Sequence, residues 1–200
     1  MTQQLHPTAK KLMDTVSAML DSSNPHGILV DDVLKISGVA RSSLYHHFGD
    51  FSGLIRATLL QRFSANVATD GQAMMEVANS AKSKDEYWTR IKELSAYTQL
   101  PSRAPIRAER ARIMSTASAD EEFAVALAEE QQRVTDAMAE AIAIAQAKGF
   151  VNAQLSPQAI AVFLQAYSLG RAIDDISVKH VPNEDWIALV ETVINSLQSD

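Results

Sequence analysis

The sequence predicts an all-α protein built in two parts. Apolar residues recur at helical spacing along most of the chain, and no segment shows the period-two alternation of a half-buried strand. Glycine and proline are sparse, with seven and six in 200 residues, and they fall between the periodic segments. Short helices precede longer ones, which predicts an N-terminal three-helix domain at residues 1–66 and a C-terminal helical bundle at residues 67–200.

The first part begins with a helix from about Thr8 to Leu20, whose apolar residues lie on one stripe. A turn rich in Ser, Asn, Pro and Gly covers residues 22–27. Asp50 is the predicted N-cap of a longer helix. Between this turn and Asp50 we expect two short helices, Val30–Ser37 and Arg41–Phe48.

The second part contains longer predicted helices with fewer connections. Gly149 occupies the expected position after one of them, and Ser156 and Pro157 have the residue types of an N-cap and a first helical position. The predicted ranges are approximately 84–100, 103–117, 120–148, 156–178 and from 183 onward.

Composition excludes several classes of protein. With 46% hydrophobic and 21% charged residues and no cysteine, the chain is not collagenous, disordered or stapled by disulfides, and it has no thiolate for a zinc site. Lys10, Lys11 and Asp14 interrupt the first twenty residues, so a signal peptide is not predicted. No apolar stretch approaches the ~20 residues of a membrane span. We therefore expect a soluble, cytoplasmic protein with no membrane partner.

The net charge of −6 is unevenly distributed. Through Arg62 there are six basic and five acidic residues, net +1, whereas the remaining 138 residues carry twelve basic and nineteen acidic groups, net −7. Acidity therefore belongs to the second part, and it does not exclude a nucleic-acid partner for the first.

Residues 30–54 predict a helix-turn-helix, because two short helices flank a turn in which Gly38 can adopt a positive φ. Val33, Leu44 and Phe48 would face a small core. Hydroxyl, guanidinium, phenol and imidazole groups remain for the outer face, and these can bind bases and phosphates. A helical hairpin with a polar surface would show a similar pattern, and the pattern alone leaves the two interpretations nearly even.

The order of residues favours the first interpretation. Residues 38–48, Gly-Val-Ala-Arg-Ser-Ser-Leu-Tyr-His-His-Phe, followed by Asp50 and Leu54, resemble the signature of TetR-family transcriptional regulators. The resemblance is specific over residues 8–66. Beyond them it depends on helix order and lengths and on Leu-Gly-Arg-Ala-Ile-Asp-Asp at 169–175, which is similar to the dimer-forming helix of some members.

This resemblance implies a homodimer that binds double-stranded operator DNA through N-terminal helix-turn-helix domains. It also implies a C-terminal domain with an effector pocket and the dimer interface. We expect no cofactor, and no enzymatic activity because no catalytic constellation is present. Transferred to this sequence, the base-facing residues are Arg41, Ser42, Ser43 and His46, the phosphate-binding residues are Tyr45 and His47, and Lys10 supplies a basic group at the start of the first helix.

Three positions depart from the family pattern. Phe51 stands where most relatives have a phosphate-binding Lys, Leu29 replaces the usual Thr or Ser cap of the second helix, and Asp31 is acidic where a neutral or basic group is common. We expect operator binding that is weaker or more salt-sensitive than is typical.

The resemblance also indicates where the effector and the second subunit would bind. The residues predicted to line the effector pocket are called the effector set. Each of them, taken alone, is more simply explained as part of the core of a helical bundle, but the set as a whole predicts an apolar pocket. It comprises Tyr87, Trp88, Ile91, Tyr97, Met114, Phe123, Met138, Phe163 and Tyr167. The dimer set comprises Phe163, Tyr167, Gly170, Ile173, Leu189, Val193 and Leu197, with burial in a monomer core as the alternative.

No catalytic or metal site is predicted. His46 and His47 are adjacent and point about 100° apart on a helix, so they cannot chelate one ion together. Arg103, Arg107 and Arg110 share one helical face. They could hold an anionic effector or link the two domains, but a solvated face paired with nearby acids is favoured.

Three hypotheses follow, in decreasing order of support. The first is a ligand-responsive transcriptional regulator, for which repression with release by a small molecule is favoured over activation. The second is a small-molecule-binding helical bundle whose DNA binding is weakened or lost, which the three departures motivate. The third, an all-helical enzyme, is disfavoured because no nucleophile lies beside a base.

Overall fold

The structure is a computed structural model that describes residues 5–199, and over this range the chain is mostly helical. No strand forms within these residues; a single antiparallel bridge joins Val151 and Gln198. None of the described helices is long and apolar enough to cross a membrane. The chain divides into two compact units, the first ending at Ala65 and the second beginning at Asn66.

The first unit contains three helices and the beginning of a fourth. They are α1 (Pro7–Leu20), α2 (Val30–Ser37), α3 (Arg41–Phe48) and α4 (Phe51–Ser80). A 3₁₀ turn, Pro25–Gly27, precedes α2. The apolar stripes that the sequence predicts meet in one core, with Leu12, Val16, Val33, Leu44, Leu54 and Phe63 completely buried.

Two glycines set the connections around α3. Gly38 has a φ of +63° and Gly49 a φ of +75°, conformations that L side chains rarely adopt. Asp50 then caps α4, since its Oδ1 accepts the Gly53 N–H at 2.6 Å. Leu29 precedes α2 without any side-chain cap bond. The two glycines and the Asp50 cap, all recognisable in the sequence, thus mark where α3 begins and ends.

The second unit is a bundle of the remaining helices. Besides the rest of α4 it contains α5 (Lys84–Thr98), α6 (Ala104–Ala117), α7 (Glu121–Ala147), α8 (Pro157–Gly170), α9 (Ala172–Asp175) and α10 (Asn183–Asn195), with a 3₁₀ turn at Pro101–Arg103. Ser83, Asp120 and Ser156 cap α5, α7 and α8 with side-chain oxygens. The core includes Tyr87 and Trp88, whose Nε1 donates to the Phe150 carbonyl at 2.8 Å.

The prediction of one helix over residues 156–178 is wrong. α8 ends at Gly170, Arg171 forms a turn, and α9 ends at Asp175. The Arg171 side chain is buried and donates to the Gln99 carbonyl and to Asn183 Oδ1, while Asp174 Oδ1 accepts the Val181 N–H at 2.9 Å. These contacts to other segments end the helix earlier than its apolar periodicity suggests.

Candidate nucleic-acid interface and ligand cavity

The outer face of α3 carries the side chains predicted to contact DNA. Leu44 is fully buried on the side of α3 that packs inward, and α3 contacts α1. On the opposite side Tyr45 is 47% exposed, Arg41, Ser42 and His46 are exposed, and Ser43 and His47 are half-buried. Phe51, at the first position of α4, is half-buried. The exposed polar face is accessible to a duplex and is built of donors and acceptors.

Both cations in the predicted DNA-binding set have a carboxylate partner. A guanidinium nitrogen of Arg41 donates to Asp31 Oδ1, and Lys10 Nζ lies 2.6 Å from Asp14 Oδ2. All four side chains are largely exposed, so each pair is weak and can exchange with a phosphate. Asp31, which departs from the pattern of TetR-family regulators, therefore occupies the arginine that is predicted to face bases.

Three histidines cluster beside this face. The rings of His6 and His47 stack with centroids 4.9 Å apart, and His46 lies edge-on to His47 at 5.0 Å. Desolvation, followed by repulsion from His6 and His46, lowers the pKa of His47. His6 also caps α1, because its Nδ1 accepts the Thr8 N–H at 3.2 Å. Sequence reasoning missed His6, because nothing local links it to α3.

No metal-binding cluster occurs among residues 5–199. The three imidazoles are held by stacking and edge contacts instead.

The second unit contains a cavity of about 80 Å³ among α4, α5, α6, α7, α8 and α10. Such a volume holds several water molecules or a small organic group. Its lining is mostly apolar and comprises Val67, Gly71, Met74, Ile91, Leu94, Val134, Met138, Leu164 and Ile194. The polar lining residues are Asp70, Ser95, Thr98, Arg110, Gln165, Tyr167 and Ser168.

Three of the nine residues predicted for an effector pocket, Ile91, Met138 and Tyr167, line this cavity. Tyr87 and Trp88 lie in the adjoining core, around a smaller cavity of about 20 Å³. The other four do not reach either cavity, because Phe123 is buried elsewhere on α7 while Tyr97, Met114 and Phe163 are exposed. Helical spacing identifies an apolar face but not which of its residues border a void.

Charged side chains line one part of the cavity, which is called its charged end below. An Arg103 Nη donates to Asp70 Oδ2 at 2.6 Å, and both Asp70 and Arg110 line the cavity. Burial raises the pKa of Asp70, while Arg103 and Arg110 oppose this shift. Burial also lowers the pKa of Arg110, against the attraction of Asp70. The guanidinium of Arg103 additionally lies 4.9 Å from the centroid of the Tyr97 ring.

The interpretation of Arg103, Arg107 and Arg110 as a solvated face is wrong. Arg107 is only 3% exposed and forms an ion pair with Asp175, while Arg103 and Arg110 belong to the charged end of the cavity. Because α6 packs against α9 and against the 3₁₀ turn at Pro101–Arg103, the face of α6 that carries these arginines points into the second unit.

The residues predicted for a dimer interface are divided between surface and interior. Phe163, Ile173, Leu189 and Val193 are exposed, by 39% to 76%. The other three, Tyr167, Gly170 and Leu197, are half-buried. Tyr167 faces the cavity, with its hydroxyl 2.7 Å from that of Ser95. A Cβ at Gly170 would meet no atom within 4 Å, so nothing within the described chain requires glycine there.

Solved structures with the same fold are numerous. A protein from Rhodococcus sp. assigned to the TetR family of transcriptional regulators is 23% identical, with a TM-score of 0.65 and coverage of 96% of this chain and 98% of that one. One from Mesorhizobium loti, assigned to the same family, is 13% identical, with a TM-score of 0.72 and coverage of 95% and 94%. Reduced NemR from Escherichia coli is 16% identical, with a TM-score of 0.68 and coverage of 96% and 98%.

No protein-family model matches the sequence, and no curated protein is similar enough to match. The likeness to known proteins is therefore carried by the fold, which is shared over nearly the whole chain. The all-α fold expected from the resemblance to TetR-family regulators is confirmed.

Proposed function

We propose that this chain is a cytoplasmic, homodimeric transcription regulator that binds operator DNA and responds to a small molecule. The observation that carries the proposal is the exposed polar face of α3, fixed in a helix-turn-helix by Leu44 beneath it and by Gly38 and Gly49 at its ends. The TetR-type fold supports it, since several solved structures with this fold are named as transcriptional regulators.

DNA binding would use one α3 helix from each subunit. A dimer places two recognition helices in successive major grooves, about 34–36 Å apart or somewhat more, and so favours a pseudo-palindromic site. The exposed apolar side chains of α8, α9 and α10 are the proposed contact with the second subunit. They include Phe163, Ile173, Leu189 and Val193.

The cavity of the second unit is the proposed effector site. A ligand that binds more tightly to a conformation unable to hold DNA shifts the population away from the DNA-bound state. By linkage, operator DNA must weaken the binding of that ligand by the same factor. The protein then acts as a repressor released by its effector, without catalysis and without a cofactor.

DNA binding can be tested with the promoter region upstream of the chain's own coding sequence. Fluorescence anisotropy at two salt concentrations should detect sequence-specific binding that Arg41→Ala and Tyr45→Ala each weaken by about tenfold or more. Arg112→Ala is the control, because it removes one exposed cation from the second unit. Unchanged binding in both α3 variants would show that α3 is not the recognition helix.

A second candidate function is a small-molecule-binding bundle with weakened or lost DNA binding. Two observations favour this function. Arg41 and Lys10 already have carboxylate partners, and position 51 carries an apolar Phe in place of a phosphate-binding Lys. It predicts ligand binding in the second unit without sequence-specific DNA binding at either salt concentration.

A further inference from the structure

We propose that the cavity of the second unit selects a small organic acid, with its carboxylate beside Arg110 and its hydrocarbon part among the apolar side chains. The inference adds the chemical class of the ligand. Any effect of that ligand on DNA binding rests on the proposed function, in which this cavity is the effector site. The binding preference itself is independent of DNA.

The apolar part of the cavity favours a hydrocarbon body. Ile91, Leu94, Val134 and Leu164 supply its walls. The free volume is only about 80 Å³, but Met74 and Met138 also line it, and the unbranched methionine side chain adapts easily to a guest. A short alkyl chain or small ring therefore suits the site better than a large polar ligand.

The charged end carries an excess of positive charge. Arg103 and Arg110 supply two guanidinium groups against one carboxylate, that of Asp70. The hydrogen bond from Arg103 at 2.6 Å, between side chains only 14% and 29% exposed, largely offsets the charge of Asp70. Asp70 is the only acidic side chain among the lining residues that the structure describes, and with Arg103 and Arg110 it forms a group of two cations and one anion.

The guanidinium of Arg110 is poorly solvated. Burial is the largest influence on its pKa and lowers it, which means that the charged form lacks part of the stabilisation that water would supply. A ligand carboxylate would return that stabilisation through charge-assisted hydrogen bonds.

Neutral donors elsewhere in the lining suit the same ligand. The hydroxyls of Ser95 and Tyr167 form a hydrogen bond with each other at 2.7 Å, and either can turn to donate to an oxygen in the cavity. Burial raises the pKa of the Tyr167 phenol, so this hydroxyl keeps its proton. An amine would instead add a third cation beside Arg103 and Arg110, and is disfavoured.

Calorimetric titration of the full-length protein tests the preference with three ligands of similar size, namely hexanoate, hexanamide and hexylamine. We expect hexanoate to bind about tenfold or more tightly than hexanamide, as charge-assisted hydrogen bonds typically provide, and hexylamine to bind more weakly than both. Equal binding of the acid and the amide, tighter binding of the amine, or no binding of any of the three would overturn the proposal.

Two variants should shift the preference in opposite directions. Arg110→Gln removes the proposed partner and should abolish the advantage of hexanoate over hexanamide. Asp70→Asn removes the competing carboxylate and should increase that advantage by several-fold. Arg112→Gln, two positions along α6 and exposed, is the control that should change neither. A preference that survives Arg110→Gln, or that Asp70→Asn diminishes in a folded protein, contradicts the assignment.

DNA binding in the presence of the same ligands separates this proposal from the proposed function. If hexanoate binds through Arg110 but leaves DNA binding unchanged, the ligand class stands and the effector role fails. If hexanamide or hexylamine releases DNA more effectively than hexanoate, the effector role stands and the organic-acid class fails.

Discussion

Arg107 and Asp175 form a two-bond ion pair inside the second unit. Arg107 Nε lies 2.6 Å from Asp175 Oδ2, and Nη2 lies 2.7 Å from Oδ1. The two side chains are only 4% and 14% exposed, and Arg107 Nη1 also donates to the Thr98 carbonyl at 3.2 Å. The pair thereby joins α6, the end of α5 and α9. It holds α9 in a position that a single helix over residues 156–178 would not give it.

Breaking this pair should destabilise the protein strongly. Asp175→Asn leaves the buried guanidinium without its counter-charge, and we expect a loss of about 3–5 kcal/mol in the free energy of unfolding. Urea denaturation followed by circular dichroism gives the value. Asp185→Asn, on the exposed first turn of α10, is the control and should cost much less. A double variant, Arg107→Met with Asp175→Leu, should lose less stability than Asp175→Asn alone; a larger loss would contradict this account.

Removing the carboxylate that pairs with Arg41 should strengthen DNA binding. Asp31→Asn frees the guanidinium and removes a repulsive charge, so we expect an increase in affinity of roughly threefold, the scale of an exposed ion pair. Asp32→Asn removes the same charge from the neighbouring exposed position and serves as the control. Equal effects in the two variants would mean that only the net charge of α2 matters, and not the Arg41–Asp31 contact.

Restoring a cation at position 51 should change the salt dependence of DNA binding. One added phosphate contact steepens the slope of log K against log salt by about 0.9. Phe51 should therefore lower the salt sensitivity of binding, contrary to the expectation of greater sensitivity, and Phe51→Lys should bind more tightly at low salt and lose that gain as salt rises. Gln61→Lys introduces the same charge at an exposed position further along α4. If both variants steepen the slope equally, position 51 makes no specific phosphate contact.

The imidazole of His47 should titrate below pH 6.5, the ordinary value for histidine. Desolvation is the main cause, and repulsion from His6 and His46 adds to it. Because the folded state binds this proton less readily than the unfolded state, His47 contributes to a loss of stability as the pH falls from 6.5 through the lowered pKa. The pKa can be followed by NMR.

His6→Gln should raise the pKa of His47 part of the way towards its ordinary value, since it removes one repulsive neighbour and leaves the desolvation largely in place. His180→Gln, in the second unit, is the control and should leave it unchanged. No rise in His6→Gln would show that the stacked ring exerts no electrostatic effect on His47.

A charge in the exposed apolar surface of α10 should prevent dimerisation. Leu189→Glu places a carboxylate in the proposed contact with a second copy, and sedimentation should then detect monomers. Val125→Glu is a matched control, because Val125 and Leu189 are both 57% exposed and Val125 lies outside the proposed contact. Monomers from Val125→Glu and dimers from Leu189→Glu would assign the interface to a different face.

The first unit is predictable from sequence because its signals act over a few residues. The observed bounds of α2 and α3 are those expected, since positive φ at Gly38 and Gly49 and the cap at Asp50 delimit them locally. The His6–His47 stack could not be predicted in this way, because it joins the start of α1 to the end of α3 through the tertiary packing of the unit.

The sequence by itself determined the all-α class, the helix-turn-helix and the residues on the outer face of α3, because helical periodicity, glycine turns and caps are local properties. Only the tertiary structure decided which polar groups meet. Asp70 and Arg103 are 33 residues apart, and Arg107 and Asp175 are 68 apart. Periodicity specifies a buried face but neither the rotation of one helix against another nor the partner across the interface, so the charged end of the cavity required the packed bundle.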